Sequence, residues 1–331
     1  MSYKKQLMNI ISKIKNKIFF LISSTIIILL CLFLIDFFLK KKFNLGNPIL
    51  YYHHPNFGYA IRPDQKIIRF DKEIKIDQFG SRSNFIRGKG NKFVFYGDSV
   101  LYGGRLVNND ELISELTCKY LGANNRCLNF GTNAYGLENI TKRVKQDQTN
   151  YKNDFAIFVF NYDNLKRGVA KLSGQPFFNK PIDGNFKAIN EVILRYVDIK
   201  RLKYRYTQSN KLEFEKYDKY LLDSDKQIKI EVQNYYQEII DDLLYLAKNK
   251  FNNYLIVINY SKENIDENKN NINLKKMMNN YDKNKIIFLS DYFNKEKIEF
   301  PKIFFDNVHL NKFGHNVMAK IIAKHIKNNY E

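Results

Sequence analysis

The stretch NKFVFYGDSVLYGG, residues 91–104, sets an apolar run against an abrupt stop. Residues 93–96 read as a strand buried on both faces, because consecutive apolar side chains leave no face for water. Gly97-Asp98-Ser99 ends the run, and Gly103 and Gly104 follow. Ser99 is then either a turn residue or a nucleophile held out at a strand end. A serine hydroxyl attacks only when a neutral imidazole takes its proton and a third group holds that imidazole's tautomer.

Similar runs recur downstream at 127–130, 155–160, 254–260 and 286–289. Two long segments carry one apolar face at helical spacing. In 230–248 the face is Val232, Tyr235, Tyr236, Ile239, Leu243 and Leu246; in 312–327 it is Val317, Met318, Ile321, Ile322 and Ile326. Apolar strands alternating with amphipathic helices predict an α/β fold with a central parallel sheet covered on both faces. Ligands in such folds gather at the carboxyl ends of the strands.

Upstream, residues 43–90 read as a mostly irregular lead-in. Alternation over 72–76 predicts a short edge strand and 77–80 a turn. His53 and His54 read as a loop pair, since no Cys or carboxylate stands at a metal-ligand spacing. Residues 166–228 interrupt the strand–helix alternation and are long for a connection, so they read as an inserted cap, with a helical stripe over 189–197.

The first 17 residues are basic, and residues 18–39 are almost unbrokenly apolar, with Asp36 the one charge. At about 1.5 Å per residue such a helix crosses a hydrocarbon core of roughly 30 Å. No small-residue cleavage site follows, so a retained single-pass anchor is expected. Five lysines precede the span and three follow it. That balance favours a cytoplasmic N-terminus and a periplasmic or extracellular body. There Cys118 and Cys127 could form a disulfide; two buried thiols are an equal alternative. The net charge is +20, of which residues 1–42 supply +7, eight lysines against Asp36. A basic-aromatic stretch runs from Lys200, KRLKYRYTQ, whose content would suit an anionic glycan, a lipid surface or simply a solvated helix face. Beyond it no compact basic block or nucleic-acid motif appears in the remainder, so nucleic acid is not an expected partner.

Of five histidines, His309 alone has a carboxylate three residues earlier, Asp306, just ahead of the last helix. At that spacing on a turn one ring nitrogen meets the carboxylate and the other points outward. His315 and His325 lack such a carboxylate and read as structural. Gly97-Asp98-Ser99 near the start of 91–331, with Asp306-x-x-His309 near its end, resembles the SGNH (GDSL) hydrolase family.

The resemblance implies a flavodoxin-like three-layer α/β/α sandwich and a Ser99–His309–Asp306 triad, with no cofactor or metal. It implies an oxyanion hole of the Ser99 and Ala134 N–H groups plus a side-chain amide. Ala134 stands where the family usually has Gly, and it can donate if its φ is ordinary. The usual Asn-Asp pair is reversed here as Asp163-Asn164. Asn164 is therefore the expected donor through a one-residue shift, with Asn161 and Asp163 as alternatives. A carboxylate at Asp163 aimed at an oxyanion would oppose catalysis. Anchored members of the family resemble enzymes that add or remove acyl groups on envelope polysaccharides. The expected activity is thus an esterase or O-acyltransferase on a glycan or other acyl ester, with a membrane acyl-donor partner left open. A catalytically weak glycan- or partner-binding domain, and a lipid esterase or thioesterase, are the alternatives.

Overall fold

The computed structural model describes residues 2–84, 90–122, 124–147, 154–167, 177–208, 226–259, 274–296 and 298–330. The chain begins with α1 (Ser2–Phe43), followed by the strands β1 (Tyr51–His54), β2 (Gly58–Ile61), β3 (Gln65–Arg69) and β4 (Lys72–Ile76). Next come β5 (Lys92–Gly97), α2 (Ser99–Tyr102), α3 (Ile113–Leu121), β6 (Arg126–Asn129), α4 (Leu137–Gln146), β7 (Phe155–Phe160) and α5 (Tyr162–Lys166). Then follow α6 (Lys187–Gln208), α7 (Lys226–Lys250), β8 (Asn253–Ile258), β9 (Ile286–Phe288), α8 (Leu289–Lys295), α9 (Phe300–Ile303) and α10 (Lys312–Tyr330).

Strands β5 to β9 form one parallel sheet in the order β6-β5-β7-β8-β9. Counted along the chain this is 2-1-3-4-5, the flavodoxin-like order. In β7 and β8 every residue after the first is buried, which is why these strands carry no polar alternation. Helix α3 packs on α10, and α4 on α7, flanking the sheet. A disulfide joins Cys118 in α3 to Cys127 in β6 and so staples a helix to the sheet edge. Closing so short a loop contributes about 2–3 kcal/mol by restricting the unfolded chain.

Successive strands leave β5 first toward β6 and then, across it, toward β7. The connections therefore diverge at the carboxyl ends of β5 and β7 and open a crevice there. The parallel register pairs Gly97 at the end of β5 with Val159 near the end of β7, so Ser99 and Asn161 each follow just beyond the carboxyl end of paired strands.

The lead-in is more ordered than expected. Its predicted edge strand is β4, but β1–β2 and β3–β4 are both antiparallel hairpins, so His53 and His54 lie in a strand. The four-residue strands β1 and β2 are too short to show period-two alternation. At the end of the lead-in the Asp77 carboxylate accepts from the Phe79 and Ser81 N–H groups and the Ser83 hydroxyl, closing the predicted turn. Ser81 and Arg82 then bond the backbone of Asn129 at the end of β6.

The predicted apolar span lies inside α1, whose segment Ile11–Phe43 is long and apolar enough to cross a membrane, a property a signal sequence shares. Asp36, its one charge, is only 4% exposed. Its Oδ1 accepts from the Ala188 and Ile189 N–H groups in the first turn of α6, and Lys40 stands 2.6 Å from Oδ2. The described part of the predicted cap therefore docks on the end of α1. The rest of that insertion, 168–176 and 209–225, lies outside the described residues.

Candidate active site

The tight turn after β5 exists because Gly97 has no side chain. A Cβ there would meet the Val159 carbonyl at 2.7 Å and Leu101 at 3.0 Å. Asp98 caps α2 by accepting from the Val100 N–H at 2.9 Å. Its other oxygen accepts from Asn164 Nδ2 at 3.0 Å and from Arg167 at 3.3 Å. Asp98 thus ties the turn that carries Ser99 to the loop after β7. Ser99 occupies the first helical position, where its N–H has no acceptor within the helix.

His309 comes from a loop closed by the Phe304–Leu310 bridge and by the Phe305 N–H donating to the His309 carbonyl at 2.8 Å. Below the loop, Asn311 accepts from the Gly314 N–H at 2.9 Å and starts α10. Asp306 Oδ1 accepts from the Val308 and His309 N–H groups, and Oδ2 lies 2.8 Å from His309 Nδ1. His309 Nε2 lies 3.0 Å from Ser99 Oγ, joining residues 210 positions apart in sequence. Partial burial pushes the Asp306 carboxyl upward, but the two backbone donors and the imidazole outweigh it and hold the group below the ordinary value. An ionised carboxylate on Nδ1 favours the tautomer that leaves Nε2 free to accept from the serine.

The other histidines do not enter this arrangement. His315 is 1% exposed in α10 and close beneath Gly103, whose added Cβ would meet its Cε1 at 3.2 Å. Burial, reinforced by the Arg82 charge, pushes its pKa down to about 3, so it stays neutral. His325 contacts the Asn284 carbonyl at 2.7 Å.

The loop after β6 carries Ala134 at φ = 60°, in the left-handed region, so the ordinary φ on which its expected donor role was conditioned is not found. An L-residue there costs about 1–2 kcal/mol. A glycine would adopt this backbone conformation without the strain an alanine carries. The lead-in fixes this loop. The Tyr59 hydroxyl donates to the Asn133 carbonyl, the Tyr135 hydroxyl to the Tyr59 carbonyl, and Asn139 Nδ2 to the Phe57 carbonyl at 3.0 Å.

Asn164 does not fit the donor role expected for it. It is fully buried, and Nδ2 donates to Asp98 and, at 2.8 Å, to the Tyr135 carbonyl. Both amide hydrogens are thus committed inside the fold. Asn161 and Asn164 also cap each other: Asn164 Oδ1 accepts from the Asn161 N–H and Asn161 Oδ1 from the Asn164 N–H. This holds the Asn161 side chain by its oxygen at the end of β7. Asp163 sits half-buried in the first turn of α5, where the helix dipole favours a carboxylate.

Sequence reading passed over Arg82. It is completely buried, and burial lowers its pKa to about 10. Its guanidinium donates to the carbonyls of Tyr102, Gly104 and Val107, each at 2.7 Å, and to Asn109 Oδ1 at 3.1 Å. It gathers the chain that leaves α2. Arg82 lies in KEIKIDQFGSRS, a stretch that resembles the segment before the nucleophile in anchored members of the family, but nothing in it gives the arginine a role.

No protein-family model and no curated protein matches the sequence. Solved structures do. A member of the lipolytic G-D-S-L family from Veillonella parvula is 12% identical with a TM-score of 0.39, covering 73% of this chain and 98% of its own. An acetylxylan esterase from Geobacillus stearothermophilus is 14% identical with a TM-score of 0.42, covering 72% and 95%. A lipase/acylhydrolase from Enterococcus faecalis is 12% identical with a TM-score of 0.42, covering 72% and 96%. The strand order of the chain's own sheet, not these likenesses, defines the fold.

Proposed function

We propose that the chain is a membrane-anchored SGNH-type serine esterase or O-acyltransferase acting on acyl esters of a cell-envelope polysaccharide. The observation that carries this reading is the line Ser99 Oγ to His309 Nε2 at 3.0 Å and His309 Nδ1 to Asp306 at 2.8 Å. In the proposed reaction His309 takes the Ser99 proton as Oγ attacks the ester carbonyl. The Ser99 and Ala134 N–H groups, with Asn161 in place of Asn164 as side-chain donor, stabilise the tetrahedral oxyanion. His309 returns the proton to the departing alkoxide, leaving an acyl-serine that water or a sugar hydroxyl resolves. The His309 and Asp306 side chains remain 36% and 47% exposed. That access favours water as the acceptor, and so hydrolysis.

The disulfide supports an exterior location for the body, since such bonds persist in oxidising compartments. The lysines around the span favour the same side. Full-length protein treated with a fluorophosphonate probe should label, and Ser99→Ala should not. Turnover of p-nitrophenyl acetate without long-chain esters would exclude a lipid esterase. A second reading, a weakly active domain that binds glycan or a partner, draws on the commitment of the Asn164 amide to the fold and the carboxylate at Asp163. Absence of labelling in both forms would select it.

A further inference from the structure

Helix α6 presents apolar side chains outward that nothing in the triad uses. Val192, Ile193 and Leu194 are 43%, 52% and 44% exposed. On the inward side of the helix Glu191 is fully buried, paired with Arg69 and accepting from the Gly46 N–H at 2.7 Å. Ile193 and Leu194 also border a cavity of about 480 Å³, lined with Phe177, Phe178, Pro181 and Ile182. An apolar surface of this kind on a helix calls for an occupant.

The place where α6 starts says which one. Asp36 caps its first turn, and Asp36 lies three residues before the end of the apolar run at Leu39. At about 1.5 Å per residue the first turn of α6 is therefore only ~5 Å along α1 from the end of that run. It begins at the depth where a spanning helix leaves the hydrocarbon. Lys40, Lys41 and Lys42 follow on α1, and Lys200, Arg201, Lys203 and Arg205 follow on α6. An apolar face with a basic run is the composition of a helix that lies in the interface of an anionic bilayer.

We propose that α6 lies on the bilayer that α1 crosses, with Val192, Ile193 and Leu194 immersed at the boundary between headgroups and acyl chains. The lipid contact clamps the body at a fixed height above the membrane through the Asp36 cap and the Arg69–Glu191 pair. This rests on the reading of α1 as a membrane span, and the test separates the two.

The chain contains no tryptophan, so one can be introduced as a unique probe. Full-length protein carrying Ile193→Trp is reconstituted into phosphatidylcholine–phosphatidylglycerol vesicles whose acyl chains are brominated near the headgroup. Ile27→Trp, in the middle of the apolar run, reports the span; Tyr245→Trp, 69% exposed on α7, reports a solvated surface. The expected result is that Ile193→Trp and Ile27→Trp each lose more than half of their emission to bromolipid, while Tyr245→Trp loses none and is quenched by iodide instead. Val192→Trp repeats the reading should Ile193→Trp fold poorly. Quenching of Ile27→Trp alone overturns the proposal and leaves the span standing. Blue-shifted emission at position 193 without bromolipid quenching points to a protein partner and also overturns it. An unquenched Ile27→Trp removes the span, and this inference with it.

Discussion

The Ser99 side of the crevice and the side facing it are built from the same kinds of residue and put them to different uses. On the first, Ser99, His309 and Asp306 aim their polar atoms at one another in a single line. Across from them, after β7, Asn161 and Asn164 use theirs first on the fold: each caps the other, and Asn164 also bridges Asp98 and the Tyr135 carbonyl. An asparagine close to a reacting serine is therefore not a donor by proximity alone. Its hydrogens have to be left over after the backbone has been served.

The largest effect that tests this contrast lies on the Ser99 side. Asp306→Asn should lower kcat by about 10³–10⁴-fold while circular dichroism stays native, because the amide favours the wrong imidazole tautomer. A loss under tenfold would mean that the line of bonds is geometric only. The Asp306 carboxyl is held below its ordinary value in the fold, so its ionised form stabilises the loop. That contribution is present above the ordinary carboxylate pKa and is lost as pH falls toward the lower folded one. A wild-type denaturation series from pH 7 to pH 3, set against Asp306→Asn, reads this sign directly.

The second effect divides the two asparagines. Asn161→Ala should cost about 10²–10³-fold in kcat, as for loss of an oxyanion donor, and about 1 kcal/mol in stability as a lost cap. Asn164→Ala should do the reverse. Its removal leaves the buried Asp98 oxygen and the Tyr135 carbonyl with only the longer Arg167 contacts, at 3.3 and 3.4 Å, and should cost about 1–3 kcal/mol in all, with a small change in kcat for the folded fraction. Urea denaturation beside steady-state kinetics on both variants decides it, and an exchange of the two outcomes would return the donor role to Asn164.

How much of this was legible follows from the range of the interactions. The sheet was readable because strands covered on both faces must be continuously apolar, as in FAIFVF at 155–160. The Asp306–His309 turn was readable because its spacing is local. The hairpins of the lead-in were not, since β1 and β2 span four residues each and are specified by distant partners such as Tyr135. Arg82 was hidden for the same reason: its acceptors lie 20 to 27 residues away, and a buried cation looks like a surface one in sequence. The bonds of the Asn164 amide were not legible because the reversed pair with Asp163 fixes residue order, whereas the direction of a side-chain amide is settled by the capping bonds of α5.

A smaller effect is expected at Asp163. If its half-buried carboxylate opposes the developing oxyanion, Asp163→Asn should raise kcat several-fold, about 1 kcal/mol in the barrier, because solvent screens much of the repulsion. A fall instead would make this carboxylate useful, for instance in orienting substrate, and would break the idea that the crevice is electrostatically unfinished on this side.

The smallest effect belongs to Ala134. Glycine at this position relieves the left-handed strain, about 1–2 kcal/mol, but gives back roughly 0.5–1 kcal/mol through the greater freedom of the unfolded chain. Ala134→Gly should therefore stabilise the fold by no more than about 1.5 kcal/mol. Its N–H keeps the same place, since the loop is fixed from outside by Tyr59 and Asn139. Unchanged kcat with slightly higher stability would mean that the lead-in, not the local residue, sets the donor's direction. If kcat falls while stability rises, the alanine methyl itself holds the loop in register, and the strain at this position is part of how the second half of the crevice is shaped.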